Sequence, residues 1–472
     1  MIEFIILCLL NKESKQQCYF IYGGRNFMKK ILVLVLVLAL VFSLAACGAP
    51  EASEEKPAAK EEKKEEATTV EADAGDADST VTIWAWDPNF NIAIMETASE
   101  IYGVDHENVT IEIVDYAKGD LEQKLHTMLA SGTTDGLPDI VLIEDYNSQK
   151  YIQSYPGSFA DLTGTMDHSN FAAYKVGLMT FEEKVYGVPF DSGVSGFYYR
   201  TDYLEQAGFS AADLDNITWD RFIEIGETVF EKTGKQMMAT DPNDGGLMRI
   251  MLNGAGSWYF DGQGNPTITN NAAFAEAVRI YAAIVNSPMT KITSGWGEWV
   301  GAINSGDVAS ITTGVWITGS VKAEASQAGS WAVAPTPRLN VSGAVNASNL
   351  GGSSWYVLES SDSKDAAVDF LKTMYAGDVD FYQSILMDRG AVGSYLPSAT
   401  GDAYSQEDEF FGGQAVYVDF AQWMDEIPAL NYGLYTYEAD AALMAQMPSV
   451  YDGGSVEDAL KLVEQQLASQ IQ

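Results

Sequence analysis

Six tryptophans, Trp86, Trp258, Trp296, Trp299, Trp316 and Trp355, fall at strand ends or in glycine-rich stretches rather than along helical stripes. Acidic and amide side chains accompany them. Asp87 and Asn89 follow Trp86, Asp145 and Tyr146 follow the apolar run Ile140 to Ile143, and Asp191 opens a turn rich in small residues. Flat apolar faces beside carboxylates and amides suit a carbohydrate. The faces stack on pyranose rings, and the polar groups replace the water that the hydroxyls give up. The candidate ligand-binding set is Trp86, Asp87, Asn89, Asp145, Tyr146, Asp191, Trp258, Trp296, Trp316, Gly352, Trp355 and Tyr432. For any single tryptophan, core packing is the competing explanation, and helix capping or turn formation would explain Asp87 and Asn89.

Reactive constellations are scarce. His106, His126 and His168 form no HxxxH pair, so no zinc site is expected. Gly254-Ala255-Gly256 lacks the third glycine of a dinucleotide fingerprint, and no phosphate-loop lysine is present. Ser195 sits in GVSGF, which misses the nucleophile-elbow spacing. The loop Asp241 to Gly245 does not have calcium-loop spacing. No catalytic residue, metal or cofactor is expected. A pair of carboxylates working on a glycosidic bond stays open, because any acidic chain supplies candidates.

The elements that must position these side chains alternate. Thr80 to Trp86, Val109 to Val114 and Pro138 to Ile143 read as strands, with helices over Asn91 to Tyr102 and Leu121 to Leu129 between them. That order predicts a parallel sheet with helices on its faces, whose ligands sit beyond the carboxyl ends of the strands. The central stretch runs from Lys184 to Phe209. A short strand breaks at Pro189. Gly193 and Gly196 then admit close backbone approach, Val194 to Tyr199 is a second strand, and Thr201 or Asp202 caps a helix that stops at Gly208. Further on, Thr218 opens a helix to Lys232, Ala272 to Asn286 is amphipathic, and Trp296 and Trp299 lie in a glycine-rich loop. Val308 to Thr312, Trp331 to Ala334 and Trp355 to Leu358 read as strands, with helices over Lys364 to Tyr375 and Ser455 to Ala468.

Tyr186-Gly187-Val188-Pro189 followed by Tyr198-Tyr199-Arg200-Thr201-Asp202 resembles the crossover segment of the family 1 extracellular solute-binding proteins, the maltose-binding-protein-like receptors of ABC importers. VTIWAWDPNF and LPDIVLIEDYN are similar to that family's first strand and its PDI strand, and the resemblance runs from Val81 to the end. It implies an α/β, two-lobed periplasmic-binding-protein-like fold of type II with hinge crossings between the lobes. It also implies capture of a small carbohydrate, delivery to permease subunits, and no covalent chemistry. Lobe 1 is expected over 79–189 and 351–394, lobe 2 over 190–350 and 395–472. Trp86, Asp87, Asn89 and Asp145 would then act from the first lobe, and Trp258, Trp316 and Tyr432 from the second.

The amino terminus reads as an export signal. Met28-Lys29-Lys30 is basic, Ile31 to Leu40 is apolar, and Leu44-Ala45-Ala46-Cys47 resembles the bacterial lipoprotein box, which implies a lipid on Cys47. Residues 1–47 are thus expected to be upstream residues and signal, with Met28 the true start. Residues 48–78 are expected to be a disordered acidic tether. The net charge of −39 argues against nucleic acid. Cys8 and Cys18 precede the signal, so no internal disulfide is expected. The chain is expected to act as a monomer on the outer face of the cytoplasmic membrane. Rival readings are a surface glycoside hydrolase, a structural or adhesion lipoprotein, and a receptor for a non-sugar solute such as a polyol.

Overall fold

The computed structural model describes residues 79–261 and 264–470. The chain divides into two units, Met1–Asp73 and Ala74–Gln472. The expected signal, Cys47 and the tether over 48–78 lie outside the described residues, which all belong to the second unit.

Among the described residues twelve strands follow in chain order. They are β1 (Ser79–Ala85), β2 (Val109–Asp115), β3 (Ile140–Glu144), β4 (Thr180–Phe181), β5 (Lys184–Val185), β6 (Val188–Pro189), β7 (Ser195–Arg200), β8 (Met238–Thr240), β9 (Thr290–Ile292), β10 (Ser310–Gly314), β11 (Trp331–Pro335) and β12 (Ser353–Val357). One five-stranded sheet has the order β2-β1-β3-β12-β6. β1 pairs in parallel with β2 and β3, and β12 returns antiparallel between β3 and β6. Period-two alternation sorts its side chains. Val81, Ile83, Ala85, Ile140, Leu142, Trp355 and Val357 enter the apolar cluster on one face. Trp84, Val141, Ile143, Tyr356 and Leu358 enter the cluster on the other. A sheet buried on both faces needs an unbroken apolar strand at its centre, which is why IVLI carries no polar residue.

The second sheet is antiparallel, β10-β7-β11, with β7 buried along its whole length at the centre. It sits in the largest apolar cluster, with Phe197, Tyr198, Trp219, Phe222, Trp331 and Phe420. Three segments join the two sheet regions and run side by side. Leu350 donates its N–H to the Gly193 carbonyl at 2.8 Å, Ser192 to Val392 at 2.8 Å and Ser394 to Phe190 at 2.8 Å.

Three local expectations change. The strand expected over Lys184 to Val188 is two short ones, β5 and β6, and Pro189 is the last residue of β6, paired with Ser354; β6 is the outer strand, so the missing N–H costs nothing there. The helix Thr201–Ala207 is capped at Arg200 and not by Thr201 or Asp202. The Asp202 carboxylate is instead occupied by the Arg200 guanidinium, at 2.9 and 2.7 Å, and by the Tyr203 N–H. Trp296 and Trp299 lie on a helix, Gly295–Asn304, not in a loop. Elsewhere the expected helices hold. Thr218 caps Trp219–Thr233 through its side chain, and Gly208 ends its helix with φ 92°.

Candidate functional site

A cavity of about 880 Å³ is lined from both sheet regions. The first region contributes Asp87, Asn89, Glu144, Tyr146 and Ser353, and the joining segments contribute Asp191, Gly351 and Gly352. The second region contributes Asp241, Arg249, Trp296, Trp299, Trp316 and Tyr437. It lies beyond the carboxyl ends of β1 and β3, where such sheets place their ligands.

The tryptophans form one wall. Trp296 lies 5.5 Å from Trp299 and 5.9 Å from Trp316, centroid to centroid. Trp316 donates its indole N–H to the Leu350 carbonyl at 2.8 Å, and Trp299 donates to Ala239 at 3.2 Å. With the polar edges tied to backbone, the apolar faces are what the wall presents. Trp296 is 56% exposed. Asp87, which lines the cavity from the first sheet region, has a left-handed backbone with φ 65° and accepts the Asn89 N–H at 3.1 Å. It is therefore both the turn-forming residue that its spacing suggested and a cavity residue.

Glu144 and Tyr437 meet across the cavity. The Tyr437 hydroxyl donates to Glu144, whose carboxylate also receives the Lys118 ammonium. Burial and then the Glu144 charge push the Tyr437 hydroxyl pKa well up, so it stays a donor. A second link, Lys150 Nζ to Glu438 at 2.9 Å, ties the same helix, Thr436–Tyr451, to the helix Asp145–Ser154.

Of the expected residues, the structure brings Asp87, Asn89, Tyr146, Asp191, Trp296, Trp316 and Gly352 to the cavity. Trp86, Asp145, Trp258, Trp355 and Tyr432 do not line it. Trp86 is half-buried against the apolar clusters of the first sheet. Trp355 is wholly buried, 5.7 Å from Phe190 and 5.9 Å from Tyr375, because β12 is an interior strand. Trp258 and Tyr432 are buried against Tyr146, one of the residues lining the cavity. Trp258 stacks on Tyr146 at 5.7 Å with 11° between planes, and Tyr432 wedges 4.5 Å from Trp258 and 4.8 Å from Tyr146.

Asp145 turns inward because it begins a helix instead of ending a strand. Both of its oxygens accept from Lys175 Nζ at 2.8 Å, and neither residue is exposed. Burial pushes its carboxyl up to about 6, with Lys175 pulling the other way. Asp191 accepts the Ser353 N–H at 2.7 Å, and its carboxyl is likewise raised by burial against the pull of Lys175.

Arg249, Lys175 and Tyr437 were not foreseen, and Glu144 was marked only by its place at the carboxyl end of a strand. Arg249 carried a legible signal, a single cation inside the apolar run Leu247 to Leu252. Lys175 and Tyr437 carried none, since their partners lie far away in the chain. Among the described residues no group of His, Cys, Asp and Glu could hold a metal ion.

Comparison with known proteins places this geometry. Residues 97–411 match the profile of the family described as bacterial extracellular solute-binding protein. The chain is 59% identical over 392 residues to the lactose-binding protein of Rhizobium radiobacter, covering 83% of this chain and 93% of that one. It is 25% identical over 354 residues to the arabinooligosaccharide-binding protein of Bacillus subtilis (strain 168), covering 73% and 76%. Among solved structures it resembles the sugar-binding protein MalE from Xanthomonas citri, with a TM-score of 0.69, 17% identity, and coverage of 83% and 98%. It also resembles the galacto-N-biose/lacto-N-biose I-binding protein of the ABC transporter from Bifidobacterium longum, with a TM-score of 0.68, 19% identity, and coverage of 84% and 98%. The fold is the two-lobed α/β fold of type II periplasmic binding proteins, and the chain belongs to the bacterial extracellular solute-binding protein family.

Proposed function

We propose that the protein is the sugar-capturing component of an ABC importer, and that it holds a small carbohydrate, with lactose the first ligand to test, between two closing lobes. The observation that carries this reading is the tryptophan wall that shares with several carboxylates a cavity lined from both sheet regions. The 59% identity to a lactose-binding protein supports the choice of sugar. Lobe 1 would comprise 79–189 and 351–394, and lobe 2 190–350 and 395–472, hinged at the three joining segments. A ring stacked on Trp296 or Trp316 would lose its water and exchange hydrogen bonds with Asp87, Asn89, Glu144 and Asp191. Ligand contacts made from both lobes favour the closed form by their differential affinity, and a permease would recognise that form. A lipid at Cys47 and the tether over 48–78 would hold the domain at the outer face of the membrane, as a monomer. No bond is made or broken in the sugar.

Residues 79–472 are expected to melt several degrees higher with lactose at a hundred times its dissociation constant, a stabilisation of about 2.7 kcal/mol. The same wells should hold intact lactose. Appearance of galactose and glucose would replace this reading with the hydrolase, and the absence of a shift with any mono-, di- or oligosaccharide would remove the sugar.

Trp296→Ala is expected to weaken lactose binding by roughly two- to tenfold, since one ring-stacking partner is worth about 0.5–1.5 kcal/mol. Its exposure means that the melting temperature without sugar should hardly move. Titration calorimetry of the two proteins reads both halves, and equal affinities would remove Trp296 from the site.

A further inference from the structure

Buried polar side-chain atoms normally have hydrogen-bond partners. Among the described residues eight lack one, and three of those eight belong to residues lining the cavity: Arg249 Nε, Thr312 Oγ1 and Thr313 Oγ1. Thr312 is 6% exposed and Thr313 1%; they are consecutive residues of β10, so their side chains point to opposite faces of the strand. The helix that carries Arg249, Gly246–Gly254, packs against that strand.

Arg249 is held rather than satisfied. Its guanidinium lies 5.1 Å from the Tyr146 ring and 5.6 Å from the Tyr437 ring, and its side chain is 12% exposed. The nearest carboxylate, Asp440, is 3.8 Å from Nε, too far for a hydrogen bond, and takes the Tyr259 hydroxyl at 2.7 Å. Asp440 thus balances the charge of Arg249 and leaves its donors unused.

We propose that Arg249 is the specificity-determining donor of the site, and that it reads one hydroxyl or ring oxygen of the sugar together with one of the hydroxyls of Thr312 and Thr313. The inference rests on the sugar reading above and narrows it. A guanidinium only donates, whereas a threonine hydroxyl both donates and accepts, so the subsite matches a sugar oxygen that accepts from Arg249. The ligand class is neutral. Asp87, Glu144, Asp191, Asp241 and Asp244 line the same cavity against Arg249 and Arg389, which disfavours a uronate or a sugar phosphate.

The test is calorimetric titration of wild type, Arg249→Met, Arg249→Lys, Thr312→Val and Thr313→Val with lactose and its monodeoxy analogues. In the wild type, removing the oxygen that Arg249 reads is expected to weaken binding by roughly ten- to a hundredfold. In Arg249→Met that one position should lose its penalty while the other positions keep theirs. Arg249→Lys should keep only part of it, because a point charge does not reproduce the planar fork. Should Arg249→Met fail to fold, one of the two near-isosteric threonine variants carries the same readout, with a smaller loss confined to one position. Unchanged lactose affinity in all variants overturns the assignment, and so does an equal loss for every analogue, which would mark a merely structural role. A wild type that binds no sugar overturns the sugar reading and this subsite with it.

Discussion

Replacing Lys175 with Met is expected to cost about 3–5 kcal/mol of folding stability, the range for a buried ion pair that loses one member. Lys175 and Asp145 are both fully buried. The ammonium donates to both Asp145 oxygens and to the Ser353 carbonyl, all at 2.8 Å, so its three donors are used. Without it, Asp145 keeps only the Ser354 hydroxyl at 3.2 Å and faces the neighbouring Asp191 charge. The pH dependence follows from the direction of the shift. The folded carboxyl, at about 6, lies above its ordinary 3.8, so the native state binds the proton more tightly. Asp145 therefore contributes stability that is complete below pH 3.8 and is lost as pH rises through 6. Removing the cation raises the folded value further, so in Lys175→Met the losing window extends toward and past neutrality. Urea unfolding at pH 5 and pH 8 should show the variant falling further behind wild type at pH 8. Equal midpoints for the two proteins would mean that the pair is not closed as described. The double variant Lys175→Met/Asp145→Leu, which leaves no orphaned charge, should recover part of the loss.

Gly193→Ala is expected to destabilise by about 3 kcal/mol or more, because the added carbon meets backbone that cannot rotate away. It would stand 2.3 Å from the Leu350 oxygen, 2.7 Å from the Leu350 carbonyl carbon and 2.8 Å from that of Gly351. Two joining segments would have to separate, and the 2.8 Å bond from Leu350 N–H to the Gly193 carbonyl would open. The Leu350 carbonyl also holds the Trp316 indole, so the wall of the cavity would move with it. A loss of lactose affinity should therefore accompany the drop in stability. Gly119→Ala is the control. It lies on the helix Lys118–Ser131 with nothing within 4 Å of the new carbon, and alanine there should match or slightly exceed wild type. Thermal melts of the three proteins decide the matter, and a Gly193→Ala protein as stable as the control would contradict the close approach.

Much was legible in the chain because the signals were local. The run IVLI read as a strand, Thr218 before Trp219 as the opening of a helix, and Gly193 as a place where another group approaches the backbone closely. The crossover motif and the aromatic strand pointed to the family, and with it the two-lobed fold. The aromatic and acidic chemistry of the cavity was also legible, through Asp87, Asn89, Tyr146, Asp191, Trp296 and Trp316.

Position around that cavity was not. Periodicity tells which face of a strand is buried, but Trp355 and Trp316 both follow glycines near strand ends, and only pairing order puts Trp355 inside. Glu144 and Asp145 are adjacent. The step from strand to helix between them sends one into the cavity and the other onto Lys175. Tyr437 reaches Glu144 across 293 positions, a distance over which no spacing rule speaks. The chain by itself determined the elements, their order and the kind of chemistry available, since these depend on neighbours within a few residues. Tertiary structure alone decided which aromatics face the ligand space, which charges neutralise one another in the interior, and that Arg249 is left with donors to offer, since those depend on what the fold brings opposite.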